Sequence, residues 1–188
     1  MSNYFKDFPI IDYNFQRRGT LIKTVNTTKR FTILHKVLDN ITLYHQYLIK
    51  EGQRPDIVSD LLYNSVDFDW LILMVNQRFD PYYQWPLFYN EFNQYLEDKY
   101  GSVSASTQLV KEYRMITVPY QKLYDGTVIN EQSLVIDHDL YLTLPDYERK
   151  LVYAYDYEFN LNESRRKIKV LSSAYLSQIT NEKSDIFK

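Results

Sequence analysis

The densest apolar patterning lies between residues 54 and 85. Ile57, Val58, Leu61 and Leu62 recur at spacings of one, three and four, with Ser59 and Asp60 on the wet side, which predicts a short amphipathic helix. Pro55 has no N–H to leave unpaired in a first turn and Asp56 places a negative charge there, so the helix is expected to start directly after Arg54. Asn64-Ser65 breaks the pattern, and Asp67 is expected to cap a second helix in which Phe68 to Val75 is apolar except at Asp69. Such a helix must be covered on nearly all sides. At about 1.5 Å of rise per residue it falls far short of a ~30 Å bilayer core. Asn76 is the expected stop, because Asn tolerates the left-handed conformation that ends helices. Asp80-Pro81 fixes a turn, and Tyr82, Tyr83 and Trp85 follow it, either as core packing under a loop or as an interface anchor.

Outside this stretch the patterning is weaker. Tyr4, Phe5, Phe8, Pro9, Ile10, Ile11, Tyr13 and Phe15 make an aromatic-rich opening in which Pro9 opposes a helix. It reads as an extended arm lying on another molecule, or as a strand tucked on this chain's own core. Arg17, Arg18, Lys23, Lys29 and Arg30 make the region basic, as a solvated face or a charge-complementary docking surface. Phe31 to Leu38 alternates loosely, and Leu43 to Ile49 predicts a strand with Gly52 as its turn. After Trp85, Asn90 is expected to cap a helix whose face carries Phe92, Tyr95, Leu96 and Tyr100 and which Gly101 closes. Ser102 to Thr107 reads as a linker. Then the period becomes two. Val110–Val118, Val128–Asp137 and Tyr141–Leu144 predict strands, separated by turns at Asp125-Gly126 and Pro145-Asp146. Leu151, Tyr153, Tyr155, Tyr157 and Phe159 alternate with Val152, Ala154, Asp156 and Glu158, which predicts a strand with a ladder of rings on one face. Ile168, Val170 and Leu171 form a last strand flanked by cations, and Tyr175, Leu176, Ile179 and Phe187 a final short helix.

A strand, two short helices, a helix-ending Asn and a turn resemble a LysM unit, in which a two-stranded sheet packs on two helices. Its usual second strand is missing after Trp85, so the Ile168 segment is expected to close the sheet by pairing with Tyr44 to Ile49. The side chains resemble another family more closely. Gly-x-Arg-Pro-Asp at 52–56, Leu-Tyr63-Asn at 62–64, Trp70 followed by Leu-Ile-Leu-Met-Val-Asn76, Asp80-Pro81-Tyr82-Tyr83-x-Trp85 and Asn162-Glu163-x-x-Arg166-x-Ile-Lys are similar to the baseplate wedge protein 53 family of contractile-tailed phages. The opening Phe5 to Tyr13 is similar as well.

The expected fold is α+β: a small LysM-like βααβ core (40–101), an extended N-terminal arm (1–39), a β-rich C-terminal half (102–160), and a C-terminal strand and helix (161–188). The resemblance implies a structural subunit of the tail baseplate in the virion, assembled in the host cytoplasm and present in multiple copies in a symmetric assembly. It implies partners among other wedge proteins, with hub or sheath-initiating proteins as further candidates. The alternative is a LysM-type peptidoglycan-binding module, with Tyr82, Tyr83 and Trp85 stacking on sugar faces.

Composition narrows the chemistry. A net charge of -2 argues against a nucleic-acid binder. No run reaches 18 apolar residues and none is flanked as in a leader, so neither a membrane span nor a signal peptide is expected. The absence of cysteine excludes disulfides and thiolate chemistry. With 19 Tyr and 10 Phe, a chain of 188 residues cannot bury every ring. Four glycines form no phosphate-cradling motif. His35, His45 and His138 stand far apart, and Asp137-His138-Asp139 on a strand would point to opposite faces. Glu91, Glu97, Asp98, Glu158 and Glu163 are the carboxylates a glycosidase could pair, but charged side chains on helix and strand faces are usually solvated. No enzyme, cofactor or metal is expected.

Overall fold

The computed structural model describes residues 3–14, 19, 21–33, 37 and 39–186. Of the positions singled out above, Phe15, Arg17, Arg18, His35, Leu38 and Phe187 lie outside the described residues. The elements run β1 (Ile10–Asn14), β2 (Leu21–Val25), β3 (Tyr44–Leu48), α1 (Pro55–Tyr63), α2 (Asp69–Val75), α3 (Tyr89–Tyr100) and α4 (Val103–Gln108). They continue with β4 (Val110–Val118), β5 (Gln121–Lys122), β6 (Val128–Ile129), β7 (Gln132–Ile136), α5 (His138–Thr143), β8 (Arg149–Tyr153), α6 (Ala154–Ser164), β9 (Lys167–Leu171) and α7 (Leu176–Asp185). They form two compact units, Met1–Pro86 with Arg165–Lys188, and Leu87–Ser164.

In the first unit, α1 begins at Pro55 with Asp56 in its first turn and ends at Asn64 in the left-handed region. Its buried side differs from the expected stripe: Val58 and Ser59 are inside, while Ile57 and Leu61 are exposed. The Ser59 hydroxyl donates to Ser65 O at 2.5 Å and accepts the Phe68 N–H at 3.2 Å, so a small polar side chain is satisfied inside by the turn it braces. Ser65, not Asp67, caps the following 3-10 turn, accepting the Asp67 N–H. The apolar helix α2 buries Trp70, Leu71, Ile72, Met74 and Val75. This chain covers it itself, with Leu171 of β9 inside the cluster and Tyr4, Phe31, Ile33 and Leu43 packed against it.

The aromatic opening divides at Pro9. Tyr4 stacks on Phe31 at 5.5 Å and lies 6.0 Å from Trp70, and Phe8 is buried, so these rings are tucked on the core. Beyond them the expected extended arm is a hairpin. β1 and β2 pair antiparallel from Ile10↔Val25 to Asn14↔Leu21, and all ten of their residues are exposed. β3 pairs antiparallel with β9, from Tyr44↔Leu171 to Leu48↔Lys167, as the missing second strand led one to expect. Strand, two helices and returning strand thus share one unit.

In the second unit an antiparallel sheet runs β7-β4-β8, and β5 and β6 form a separate ribbon. Its turn carries Gly126 at φ 86°, with the Thr127 N–H on Asp125 Oδ1 at 2.8 Å. Helix α3 starts one residue before Asn90, with the Glu91 carboxylate accepting the Phe88 N–H, and closes at Gly101. The supposed linker is helix α4: the Ser102 hydroxyl accepts the Ala105 N–H and Ser106 is buried. Tyr141–Leu144 is not a strand either, because Asp137 caps α5 by accepting the Leu140 N–H at 2.7 Å. The supposed ring ladder ends at Tyr153, where α6 begins and buries Ala154, Glu158 and Asn162. Those positions are four apart, the helical spacing of one face. This half is therefore mixed helix and strand rather than β-rich.

Candidate docking interface

The loop after α2 is braced by its own side chains. Asp80 Oδ1 accepts the N–H groups of Tyr82 and Tyr83 at 2.8 and 3.1 Å. Gln84 Oε1 accepts those of Phe79 and Asp80 at 2.6 and 3.0 Å, and the Gln84 N–H returns to Asp80 O. Pro81 has no N–H to satisfy. The loop holds its shape without help from its rings, which leaves Phe79, Tyr82 and Tyr83 76%, 80% and 73% exposed.

Trp85 does the opposite. It is buried, donates from Nε1 to Gln53 O at 2.9 Å, and carries the Arg78 guanidinium 5.4 Å from its ring centre. Arg78 donates to Arg165 O at 2.5 Å, and burial, with Arg165 nearby, pulls its guanidinium down to about 10. The aromatic cluster thus splits into a buried anchor and an exposed crest.

The remaining residues singled out by sequence have separate duties. Arg54 pairs with Asp56 at 2.5 Å, and the hydrogen bond from Arg54 holds the Asp56 carboxyl below the usual range. Asn76 ends α2 at φ −93°, and the left-handed residue is Gln77. The value of Asn76 is its side chain: Oδ1 accepts the Lys169 N–H at 2.8 Å, and Nδ2 donates to Lys169 O at 2.7 Å and Ile72 O at 2.8 Å. Tyr63 donates to Leu171 O at 3.0 Å, and burial pushes its phenol up. Trp70 is core, with Lys183 Nζ 5.2 Å from its ring centre. Arg166 pairs with Glu51 at 2.9 Å. In the other unit, the Asn162 amide exchanges two hydrogen bonds with the Leu87 backbone at 2.7 and 2.9 Å, and Glu163 lies half-buried near the end of α6.

Sequence reasoning missed Gln53, Arg78, Phe79 and Gln84. An Asp-Pro turn followed four residues after the Asp by a Gln was the one available signal. It also left Glu158 among solvated carboxylates. Glu158 is buried, accepting from Lys99 Nζ and Tyr100 Oη at 2.7 Å and from Tyr95 Oη at 3.0 Å. Burial alone would raise its pKa, but these hydrogen bonds outweigh it and hold the carboxyl below its ordinary value. Tyr100 is pushed up to about 12 by burial and by the same carboxylate. A carboxylate enclosed in this way is a structural tie rather than a proton donor. His138 packs on Tyr113 at 4.8 Å, with Asp139 Oδ1 4.0 Å from its Nδ1. Among the described residues no group of three His, Asp or Glu could hold a metal ion, and no helix is long and apolar enough to cross a membrane.

The exposed rings of the braced loop and the exposed apolar hairpin are the candidate docking surfaces among the described residues. Residues 4–186 match the family described as Base plate wedge protein 53, and the chain belongs to that family. It is similar to the Baseplate wedge protein gp53 of Enterobacteria phage T4, at 26% identity over 140 residues that cover 72% of this chain and 69% of that protein.

Proposed function

We propose that this chain is a structural subunit of the baseplate wedge in a contractile phage tail, a non-catalytic part that joins wedge proteins around the central hub. The observation that carries this reading is the β1–β2 hairpin. Ile10, Tyr13, Leu21 and Ile22 are each at least half exposed on a two-stranded ribbon, which is marginal in water by itself. Apolar side chains in such a setting mark a surface finished by a neighbour. The crest of Phe79, Tyr82 and Tyr83 adds a second such surface, since rigid Tyr side chains are favoured interface anchors. Partners are other baseplate proteins, with hub or sheath-initiating proteins as candidates, and the chain is present in several symmetric copies.

A peptidoglycan-binding module gains support from the exposed Tyr82 and Tyr83, but Trp85 is closed to a sugar by its bond to Gln53. The test is tail assembly with an Ile10→Asp, Leu21→Asp double variant. Both sites are exposed, so the chain should fold normally and fail to enter tails; normal incorporation would remove the proposal. Saturable binding to purified cell wall, lost in Tyr82→Ala, Tyr83→Ala, would establish the module instead.

A further inference from the structure

The two edges of the β3–β9 sheet are treated differently. The Ile49 N–H donates to Arg166 O and the Ser172 N–H to Leu43 O, both at 2.9 Å, which fixes the parity of the ladder. In an antiparallel pair the bonded positions alternate, so residues 43, 45, 47 and 49 bond inward, and the backbone groups of residues 44, 46 and 48 point outward, as do those of 167, 169 and 171 on β9. On the β9 side three of those six outward groups are taken, at the middle and one end of the strand: Asn76 occupies both the N–H and the C=O of Lys169, and Tyr63 occupies Leu171 O. On the β3 side, Tyr44 N–H returns to Ile41 O and Lys50 is closed by the Gln53 turn. Between these ends, the outward N–H and C=O of Gln46 and Leu48 meet no partner among the described residues. Leu48 is 65% exposed. Among the described residues one edge is blunted by dedicated side chains and the other is an uncovered template for a further strand.

We propose that β3 is a strand-addition site, completed in the assembled tail by an extended segment of another baseplate protein. The face it would share is cationic. Leu48 lies across from Lys167 and Gln46 across from Lys169, and neither lysine has a carboxylate within ion-pair distance among the described residues. A groove lined by Gln46, Asn76, Gln77, Lys167 and Lys169 also contains one carboxylate, Asp39, which leaves it one positive charge in excess. The segment that fits therefore pairs its backbone with Gln46 and Leu48, sets an apolar side chain beside Leu48 and carries a carboxylate toward the lysines. Main-chain bonds supply the affinity and the alternating side chains the selectivity.

This inference rests on the baseplate reading, and its test separates the two. Hydrogen exchange is followed at the amides of Gln46 and Leu48 in the free chain and in purified tail baseplates. They should exchange freely in the first and be slowed at least about 100-fold in the second, as for a strand interior. Gln46→Pro removes only an outward N–H, which an edge strand tolerates. It should melt like the unaltered chain and be incorporated about tenfold less, the effect of one interfacial hydrogen bond. Lys167→Glu with Lys169→Glu should also lower incorporation. Baseplates that contain the chain while both amides exchange freely would overturn the inference, whatever Gln46→Pro does to folding. Slow exchange in the free chain, accompanied by a concentration-dependent dimer, would assign the edge to a second copy and overturn it as well. Baseplates without the chain would overturn the assembly reading and this inference together.

Discussion

The two units solve the same packing problem with different materials. The first buries Trp70, Leu71, Ile72, Val75, Ile168, Val170 and Leu171, and uses Asn76 and Tyr63 to tie helices to β9. The second buries Phe92, Leu96 and Ala154, with Ser106, Glu158 and Asn162 alongside them. Its thin apolar interior depends on one charged tie and one amide clip. A unit built mostly of apolar contacts should respond to proton concentration less than one tied by a buried carboxylate. Trp70 and Trp85, the two tryptophans of the chain, both lie in the first unit, so their fluorescence reports on it alone.

The largest effect is expected from Trp70→Ala, which should cost the first unit about 3–5 kcal/mol, seen as an earlier denaturation midpoint in Trp85 fluorescence. Protection of α3 and α6 amides in the second unit should be unchanged.

Glu158→Gln should reverse that pattern, costing the second unit about 1–3 kcal/mol because Lys99 and two tyrosines lose their acceptor charge. Protection in α3 and α6 should fall while the tryptophan signal holds. The same tie gives a pH dependence of predictable sign. The folded carboxyl of Glu158 is held below its ordinary value, so its contribution is present above about pH 4.3 and is lost as pH falls through the lowered value. Lys99 and Tyr100 are raised in the folded state, so their contribution is complete below about pH 10 and is lost above it. The stability of the second unit, followed by hydrogen exchange, should plateau between these limits and fall on both sides, more steeply than that of the first. In Glu158→Gln the acid limb should flatten.

Asn76→Ala should cost about 1–2 kcal/mol, since it strands the backbone of Lys169, and the change should appear in the tryptophan transition. Arg54→Ala, at an exposed pair, should leave the denaturation midpoint unchanged.

These contrasts also explain what could be read from the sequence. Turn and cap chemistry is local, so Pro55, Gly101 and Asp125-Gly126 announced their roles, and β4 was delimited by its period. The β3–β9 pairing was legible because the first strand needed a partner and a single cation-flanked apolar run remained. Helix α6 was illegible for a definite reason. Its buried stripe is Ala154, Glu158 and Asn162, two of them polar, so the hydrophobic signal followed Tyr153, Tyr155, Tyr157 and Phe159 and mimicked a strand. Only the Lys99, Tyr95 and Tyr100 partners make Glu158 an interior residue, and no local pattern reveals them. In the same way Ser59 was assigned to the wet side because its acceptor, Ser65 O, is a backbone atom. The crest was half legible: the rings were visible, but which one turned inward depended on Gln53 and Arg78.

Helix α2 needed cover on nearly all sides and this chain supplies it, whereas the β1–β2 hairpin leaves its apolar side chains exposed. An electron cryo-microscopy map of the purified tail tests that point most directly. The account predicts this chain in the baseplate with Ile10, Tyr13, Leu21 and Ile22 buried against a neighbouring protein. A baseplate lacking the chain, or one in which that hairpin faces solvent as it does here, would contradict it.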